Sequence, residues 1–321
     1  RVIVTDDQSA DDTAAVARAA FSGDLLVLPG AALPAGWTGK LWALEQAWRE
    51  TRTPLVLLLD ADIELAPGLL AALQRKLVEE RLDLVSIMAA LRMETFWERL
   101  LVPAFIYFFK LLYPFALGNN PRARLGVAAG GCILIRAETL RRIGAFASLR
   151  DALIDDCTLA RRVKETGGRT WIGLSHSVRS HRPYPGLASL WNMVARSAFT
   201  QLRYSVALLL ATTAALIFAF WLPCVGLVVA STPARVAAAI GLLAMMTSYW
   251  PTLRFYGRSP LWALALPVIG ALYLGMTWTS ALRYWQGRRS EWKGRVYHRS
   301  VPPENPQRPQ EESDAQPPRP A

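Results

Sequence analysis

Two carboxylates one residue apart form the pair in this chain best suited to chemistry. Asp60 and Asp62 directly follow the apolar run 54–59, and an α/β fold keeps its ligand where a buried strand ends. Carboxylate oxygens are hard ligands that can hold Mg²⁺ or Mn²⁺ against the diphosphate of a nucleotide. The pair therefore predicts a metal–nucleotide site, with a solvated turn as the alternative for so short a motif.

Three other polar groups stand at the ends of predicted elements. Asp6 and Asp7 follow an apolar strand, where they could bond a base and ribose or simply cap the next helix. Lys40 precedes a predicted helix, where it could meet phosphate oxygens as a point charge or stay solvated. Asp155 and Asp156 begin a further helix, whose dipole keeps a carboxylate ionised. An ionised carboxylate can act as a general base at neutral pH.

Strands and helices alternate over residues 1–184, which must position these groups. The predicted strands cover residues 2–5, 25–28, 55–59, 84–89, 126–136 and 171–178, and the predicted helices cover residues 13–21, 41–50, 67–80, 138–143 and 155–163. This alternation predicts an α/β domain with a mostly parallel, Rossmann-like sheet. Because the chain opens directly on a predicted strand, we expect the first strand of this domain to be missing from the sequence.

A membrane region is predicted after this domain. Over residues 185–204 apolar side chains recur at near-helical spacing, with Arg196 and Arg203 between them. That pattern favours an amphipathic helix lying on the bilayer. Residues 205–285 hold three uncharged stretches, of which the first and third at least are long enough to span a hydrocarbon core of roughly 30 Å.

Two other segments also point to a membrane. Residues 100–117 are apolar and aromatic but interrupted by proline and lysine, so they predict a helix on the membrane surface. Residues 286–321 form a basic and aromatic segment followed by a tail whose composition predicts disorder. The charge bias places the basic segment in the cytoplasm. Three membrane crossings that start from a cytoplasmic domain would place this segment outside the cell. Either one of the three stretches does not cross the membrane, or the charge bias does not predict the orientation of this chain.

Composition agrees with a membrane protein. The 321 residues carry a formal charge of +11, are 52% hydrophobic and include 12 tryptophans. A basic, apolar, tryptophan-rich chain suits an anionic membrane surface rather than nucleic acid. The three cysteines lack the spacing of a disulfide framework, which favours a reducing compartment.

The order of these motifs resembles a known enzyme family. The motifs are Asp6-Asp7-Gln8-Ser9, Gly39-Lys40, Asp60-Ala61-Asp62, Gly130-Gly131 through Arg136, Asp155-Asp156 and Thr200-Gln201-Leu202-Arg203-Tyr204. The series resembles that of membrane-bound family 2 glycosyltransferases, which have the GT-A fold. Runs 130–136 and 292–297 are most similar to bacterial hopene-associated glycosyltransferases, with ceramide glucosyltransferases more distant.

The resemblance implies an inverting enzyme that moves a sugar from a UDP-linked donor to a membrane lipid, with a hopanoid as the candidate acceptor. It implies a multi-pass protein of the bacterial inner membrane whose catalytic domain is cytoplasmic. The implied donor-binding residues are Asp6, Asp7, Lys40, Asp60, Asp62 and Asp155, with Mg²⁺ or Mn²⁺ on Asp60 and Asp62. The implied catalytic residues are Asp156 as base and Arg203, with Gln201 and Tyr204 at the acceptor end.

Departures and alternatives remain. Thr200 and Tyr204 stand where the family has Gln and Trp. A haloacid dehalogenase-type phosphohydrolase also uses Asp-x-Asp after an apolar strand, but it needs the motif on the first strand and a Thr or Val where this chain has Glu64. A third hypothesis is an inactive glycosyltransferase fold that serves as a membrane scaffold.

Overall fold

A computed structural model describes residues 1–229, 231–292 and 295–298. The strands up to residue 180 are β1 (Val2–Asp6), β2 (Leu25–Pro29), β3 (Leu55–Leu59), β4 (Ile63–Leu65), β5 (Leu84–Leu91), β6 (Cys132–Arg136) and β7 (Thr170–Ser180). The helices of this part are α1 (Thr13–Ala20), α2 (Gly39–Arg49), α3 (Leu69–Glu79), α4 (Phe96–Leu112), α5 (Phe115–Asn119), α6 (Ala137–Arg142) and α7 (Asp155–Glu165). The predicted α/β class is confirmed.

The main sheet has five strands in the order β3-β6-β5-β7-β4, and β1 pairs with β2 in a separate parallel sheet. Strands β5 and β7 are parallel, whereas β6 is antiparallel to both β3 and β5. The sheet is therefore mixed. The reason is local, because the Gly130-Gly131 turn starts β6 at the edge where β3 ends and sends it back between its neighbours.

Strand β6 is covered on both faces, as its unbroken apolar sequence requires. Ile133 and Ile135 pack in one cluster with Leu41 of α2 and Leu159 of α7. Leu134 points to the opposite face, in the cluster with Leu73 and Leu77 of α3. The two-residue alternation of a strand thus places α2 and α7 on the same side of the sheet.

Three helical stretches are long and apolar enough to cross a membrane: Val206–Val228, Thr232–Phe255 and Pro260–Trp285. The helices after residue 186 are α8 (Leu187–Ala195), α9 (Ala198–Gln201), α10 (Val206–Leu216), α11 (Leu222–Val229), α12 (Thr232–Phe255) and α13 (Leu266–Trp285). A π-helical turn joins α10 to α11. The predicted amphipathic segment 185–204 is thus two short helices, α8 and α9, instead of one.

Helix α4 packs against the apolar helices. The Tyr273 hydroxyl of α13 donates to the Leu101 carbonyl over 2.8 Å. The hydroxyls of Tyr107 and Ser248 lie 2.9 Å apart and join α4 to α12. Sequence analysis predicted a membrane-surface helix here; the structure places much of its apolar surface inside the protein, because α8, α12 and α13 cover it.

The end of α12 docks on the main sheet. The rings of His176 and Phe255 stack with centroids 4.1 Å apart, and His176 Nε2 lies 2.8 Å from the Phe255 carbonyl oxygen. His176 lies within the irregularity in the β5–β7 register, between Ser175 and Arg179. The sheet and the apolar helices are therefore in direct contact.

A hairpin of β8 (Arg288–Trp292) and β9 (Arg295–His298) follows α13. It falls in the segment predicted to be basic and aromatic. Residues 299–321 lie outside the described residues, and they include the tail 302–321 for which sequence analysis predicted disorder.

Candidate active site

Lys40 joins two of the predicted carboxylates. It lies in the first turn of α2, and its Nζ is 3.0 Å from Asp60 Oδ1 and 3.2 Å from Asp155 Oδ2. Burial lowers the pKa of Lys40, but the charges of Asp155, Asp60 and Asp156 outweigh burial and raise the pKa above its ordinary value. The lysine is therefore charged and connects the end of β3 to the start of α7.

Asp156 is the carboxylate with the raised proton affinity. Its Oδ2 accepts from the Gly130 amide over 2.8 Å, and its Oδ1 accepts from the Cys157 amide over 2.7 Å. Burial and the neighbouring charge of Asp155 raise the pKa of Asp156 to about 6, against the opposing effects of Lys40 and the two amides. Asp156 is therefore ionised at neutral pH yet able to accept a proton, which suits a general base.

The glycine pair makes this close packing possible. A Cβ atom on Gly130 would lie 3.0 Å from Lys40 Nζ and 3.4 Å from Asp156 Oδ2. The Gly131 carbonyl accepts from the Asp60 amide over 3.1 Å. The start of β6 therefore supplies a backbone donor to one carboxylate and fixes the backbone of the other.

Asp62 lies beside the end of β7. Its Oδ2 accepts from the Ser180 hydroxyl over 2.7 Å, and its carbonyl accepts from the His181 amide over 2.8 Å. Sequence analysis did not identify Ser180, which is the last residue of β7 and lies just beyond the predicted strand 171–178. The sheet order β7-β4 brings it to the Asp-x-Asp turn.

The two carboxylates fit a divalent ion that also binds phosphate. Among the described residues no group of three or more His, Cys, Asp or Glu side chains could hold a metal by itself. One oxygen of Asp60 and one of Asp62 have no hydrogen bond to the described protein. Mg²⁺ ions are commonly bound by one or two carboxylates together with substrate phosphates. The donor set therefore suits an ion shared with a diphosphate.

Asp6 and Asp7 stand at the carboxyl end of β1. Asp6 Oδ1 accepts from the Ser9 amide over 3.1 Å, and the Asp6 carbonyl accepts from the Gly30 amide over 2.7 Å. These bonds shape the loops after β1 and β2. No hydrogen bond joins Asp6 to Lys40 within the described chain, so its nucleotide role stays a prediction.

Within the described chain Arg203 makes no ion pair with the carboxylate cluster, and its catalytic role stays a prediction. Arg203 is exposed, has a φ of 52°, and makes no side-chain hydrogen bond or ion pair with the described residues. The chain turns through left-handed backbone at Arg203 and Tyr204 to enter α10.

Gln201 and Tyr204 make separate contacts. Gln201 Oε1 accepts from the Tyr113 hydroxyl. The Tyr204 ring stacks on Tyr284 with centroids 4.4 Å apart. Gln201 is thus tied to the end of α4, whereas Tyr204 is tied to the end of α13.

Arg196 is an arginine whose pKa is affected by carboxylates of the candidate site. It is half-buried at the end of α8, and burial and Arg182 lower its pKa, while Tyr184, Asp155 and Asp60 act in the opposite direction. Sequence analysis recorded Arg196 and Arg203 on one amphipathic helix, where a seven-residue spacing puts both on one face. Because the chain breaks between α8 and α9, the two arginines do not lie on one face of a single helix.

Tyr113 is a second residue that sequence analysis missed. Burial, Cys157 and Asp156 raise the pKa of its phenol. Because the same hydroxyl donates to Gln201, Tyr113 lies between the candidate base and α9. Its sequence signal was weak, since it is one aromatic residue among many at the end of an apolar helix.

Solved structures with similar folds are distant in sequence. PcManGT, a mannosyltransferase from Pyrobaculum calidifontis in complex with GDP-Man and Mn²⁺, is 19% identical over 89% of this chain and 78% of that chain, with a TM-score of 0.49. Glucosyl-3-phosphoglycerate synthase from Mycobacterium tuberculosis, in complex with phosphoglyceric acid, is 21% identical over 63% and 67%, with a TM-score of 0.37. S. aureus TarS is 13% identical over 93% and 87%, with a TM-score of 0.38. No curated protein matches the chain.

The family assignment comes from the sequence itself. The model of glycosyl transferase family 21 matches residues 23–301. That range contains the Lys40 cluster and all three apolar helical stretches. The predicted GT-A glycosyltransferase is confirmed, although the matching family carries the number 21 and the predicted one the number 2. The chain belongs to glycosyl transferase family 21.

Proposed function

We propose that this glycosyltransferase moves a sugar from a UDP-linked donor to a membrane lipid, with inversion, at the cytoplasmic face of the bacterial inner membrane. The observation that carries the proposal is the state of Asp156. Two backbone amides hold its carboxylate in place while burial and Asp155 raise its pKa to about 6. A fixed carboxylate of this kind can take the proton of an acceptor hydroxyl.

The proposed chemistry is a single displacement. The acceptor oxygen forms a bond to the anomeric carbon on the face opposite the leaving group, while the bond from that carbon to the diphosphate oxygen breaks. The hydroxyl proton passes to Asp156, and the electron pair of the broken bond leaves with the nucleoside diphosphate. Lys40 and Arg196 supply positive charge on the donor side of the site, where negative charge develops.

A divalent ion would complete the donor side. Asp60 and Asp62 would hold Mg²⁺ or Mn²⁺, and the ion, when bound, would neutralise charge on the departing diphosphate. Asp6 and Asp7 are proposed to bind the nucleoside, and Asp155 to orient Lys40 through the ion pair of 3.2 Å. The remaining protein groups need no ion to act, since they orient the donor and take up the acceptor proton.

A lipid acceptor is supported by the apolar helices. Gln201 lies at the end of α9, shortly before the first stretch that can span a membrane, and contacts Tyr113 near Asp156. A hydroxyl at the head of a lipid could therefore reach Asp156 while its apolar part stays among the helices. The choice of a hopanoid rests on the resemblance of run 130–136 to hopene-associated enzymes.

Different observations count against the two alternative functions. Membership of a glycosyltransferase family counts against the phosphohydrolase. The inactive scaffold is disfavoured by the intact cluster of Lys40, Asp60, Asp155 and Asp156.

Lipid analysis tests the proposal. The full-length gene is expressed in a bacterial host, and lipid extracts are compared by mass with those from the host carrying the Asp156→Asn variant. We expect new lipids heavier by a hexose or N-acetylhexosamine only with the unchanged enzyme. Equal amounts of such lipids from both hosts would contradict the role of Asp156, and no glycolipid from either host would contradict the lipid acceptor.

A further inference from the structure

The Lys40 ammonium already pairs with Asp60, one of the two carboxylates that would hold the divalent ion. Its Nζ lies 3.0 Å from Asp60 Oδ1 and 3.2 Å from Asp155 Oδ2, so one ammonium bridges two carboxylates from different elements. A divalent ion on Asp60 would meet a positive charge already bound to the same carboxylate. At such separations like charges repel strongly in a partly buried site.

We infer that Lys40 is an internal counter-ion that competes with the divalent ion for Asp60, so that the ion binds well only together with a nucleoside diphosphate. This inference rests on the proposed metal-dependent function and adds an order of binding to it. The diphosphate would offer Lys40 new oxygen partners. Lys40 would then release Asp60 to the ion.

The geometry allows Lys40 to exchange partners. Its side chain keeps 31% of its surface exposed and has a flexible four-carbon stem, so the ammonium can move without rearrangement of α2. The ammonium also lies close to the Gly130 backbone, since a Cβ there would lie 3.0 Å from Nζ. Asp60 is also accessible, with 39% of its side chain exposed.

Charge balance explains why the diphosphate is needed. Asp60, Asp155 and Asp156 surround a single ammonium, and their charges raise its pKa. Without nucleotide, a divalent ion must displace Lys40 or share Asp60 with it. With nucleotide, the phosphate oxygens add negative charge that can hold both cations, so the repulsion between them is offset.

Two simpler roles for Lys40 predict different effects of its removal on binding of the ion. If Lys40 only attracted the diphosphate, its removal would weaken nucleotide binding and leave the affinity for the ion alone unchanged. If Lys40 only held Asp60 in position, its removal would weaken binding of the ion. Tighter binding of the ion after removal is expected only from competition.

The experiment measures Mn²⁺ binding to the full-length protein in lipid nanodiscs. Free Mn²⁺ is followed by electron paramagnetic resonance, with and without UDP, for the unchanged protein and for Lys40→Met. We expect Lys40→Met to bind Mn²⁺ about tenfold more tightly without UDP, and the strengthening of Mn²⁺ binding by UDP to fall by a similar factor. Lys40→Arg keeps the charge and should behave like the unchanged protein.

Two further variants keep the result interpretable. Lys76→Met removes an α3 lysine that pairs with Glu80 outside the site, and it should leave Mn²⁺ binding unchanged. Lys40→Gln also removes the charge but can still hydrogen-bond to the carboxylates. It replaces Lys40→Met if a thermal melt shows that Lys40→Met folds poorly, and the same tighter Mn²⁺ binding is expected.

The outcomes separate the two hypotheses. If the unchanged protein binds Mn²⁺ with UDP but neither neutral variant binds Mn²⁺ more tightly without it, the counter-ion inference is overturned and the proposed function stands. If the unchanged protein binds no Mn²⁺ even with UDP, the metal-dependent function fails and takes the inference with it.

Discussion

Two carboxylates near opposite ends of β6 have pKa values that are shifted in opposite directions. Asp156 accepts from the Gly130 amide just before β6 begins, and its pKa is raised to about 6. The Asp83 carbonyl accepts from the Arg136 amide at the end of the strand. Burial raises the pKa of Asp83, but hydrogen bonds from Arg169, Thr139 and Arg142 outweigh it, so the pKa is lowered.

Burial is the largest influence on the pKa of both carboxylates and raises both, so the polar groups around each one set the net direction. Asp83 accepts from the Thr139 hydroxyl over 2.7 Å and the Arg169 amide over 2.8 Å, and the Arg142 guanidinium lies 3.2 Å away. Asp156 has two amide donors but stands next to a second carboxylate, Asp155. Hydrogen bonds and a nearby positive charge stabilise the ionised form of a carboxylate and lower its pKa. A neighbouring negative charge raises the pKa, so the carboxylate accepts a proton more readily.

The largest expected effect comes from exchanging each carboxylate for its amide. Asp156→Asn should lower transfer by roughly a thousandfold or more, because the amide cannot take up the acceptor proton. Asp83→Asn should leave transfer nearly unchanged but lower the free energy of unfolding by about 1–3 kcal/mol, since it weakens a paired buried group. Transfer assays and urea unfolding on both variants make the comparison.

A binding control accompanies this pair. Asp156→Asn should keep Mn²⁺-dependent UDP binding, whereas Asp62→Asn should weaken it because a charged ligand is lost. Calorimetry with UDP and Mn²⁺ measures both. Substantial transfer by Asp156→Asn would assign the base to Asp155 or another carboxylate.

The two arginines near the site should also differ. Arg196→Ala should lower kcat by about a hundredfold, because it removes positive charge close to the carboxylates where the diphosphate departs. Arg203→Ala should change it less than about threefold, since the exposed guanidinium has no partner in the described chain. Steady-state kinetics decide between them. A larger loss for Arg203→Ala would support the catalytic role that the family resemblance implies for it.

The pH dependence sharpens the contrast between Asp156 and Asp83. Transfer should fall about tenfold per pH unit below pH about 6, because protonated Asp156 cannot act as a base. The lowered pKa of Asp83 gives stability that is present above its unfolded pKa of about 3.9 and is lost only as pH falls further. Rate and melting temperature are measured from pH 4 to 8. Parallel loss of both near pH 6 would indicate unfolding instead of titration of the base.

A modest effect, confined to the acceptor, is expected at Tyr113. Tyr113→Phe removes the hydrogen bond to Gln201 without changing the ring, so the KM for the lipid acceptor should rise roughly threefold to tenfold. The KM for the donor should stay constant, because the bond lies on the α9 side of Asp156. An equal rise in both values would show a general loss of structure.

Local sequence patterns predicted much of the catalytic half. Asp60, Asp62, Asp155 and Asp156 were identified because a strand end and a helix start leave clear signals in neighbouring residues. Lys40 was also identified, although its bridge between Asp60 and Asp155 depends on the packing of α2 and α7 on one face of the sheet. That packing is not encoded within any single element.

Other features depended on tertiary contacts. The near-helical spacing of apolar residues over 185–204 predicted one helix carrying both arginines, whereas the structure has two helices, with Arg196 close enough to feel the charges of Asp155 and Asp60. The apolar pattern of α4 could not distinguish burial in lipid from burial in protein, because both remove the same surface from water. Likewise, the sequence of β6 indicates burial on both faces but not an antiparallel direction.

The packing of α4 limits how this enzyme can be divided for expression. Leu101, Val102 and Ala104 are inaccessible to solvent, in a cluster that includes Tyr249 of α12 and Tyr273 of α13. A soluble fragment ending at residue 184 would lose both of these helices and expose that surface to water. Such a fragment is expected to aggregate or to need detergent, even though it keeps Lys40 and the carboxylates proposed to bind the donor. Mutating the newly exposed α4 positions to polar residues would be the first step toward a soluble catalytic half.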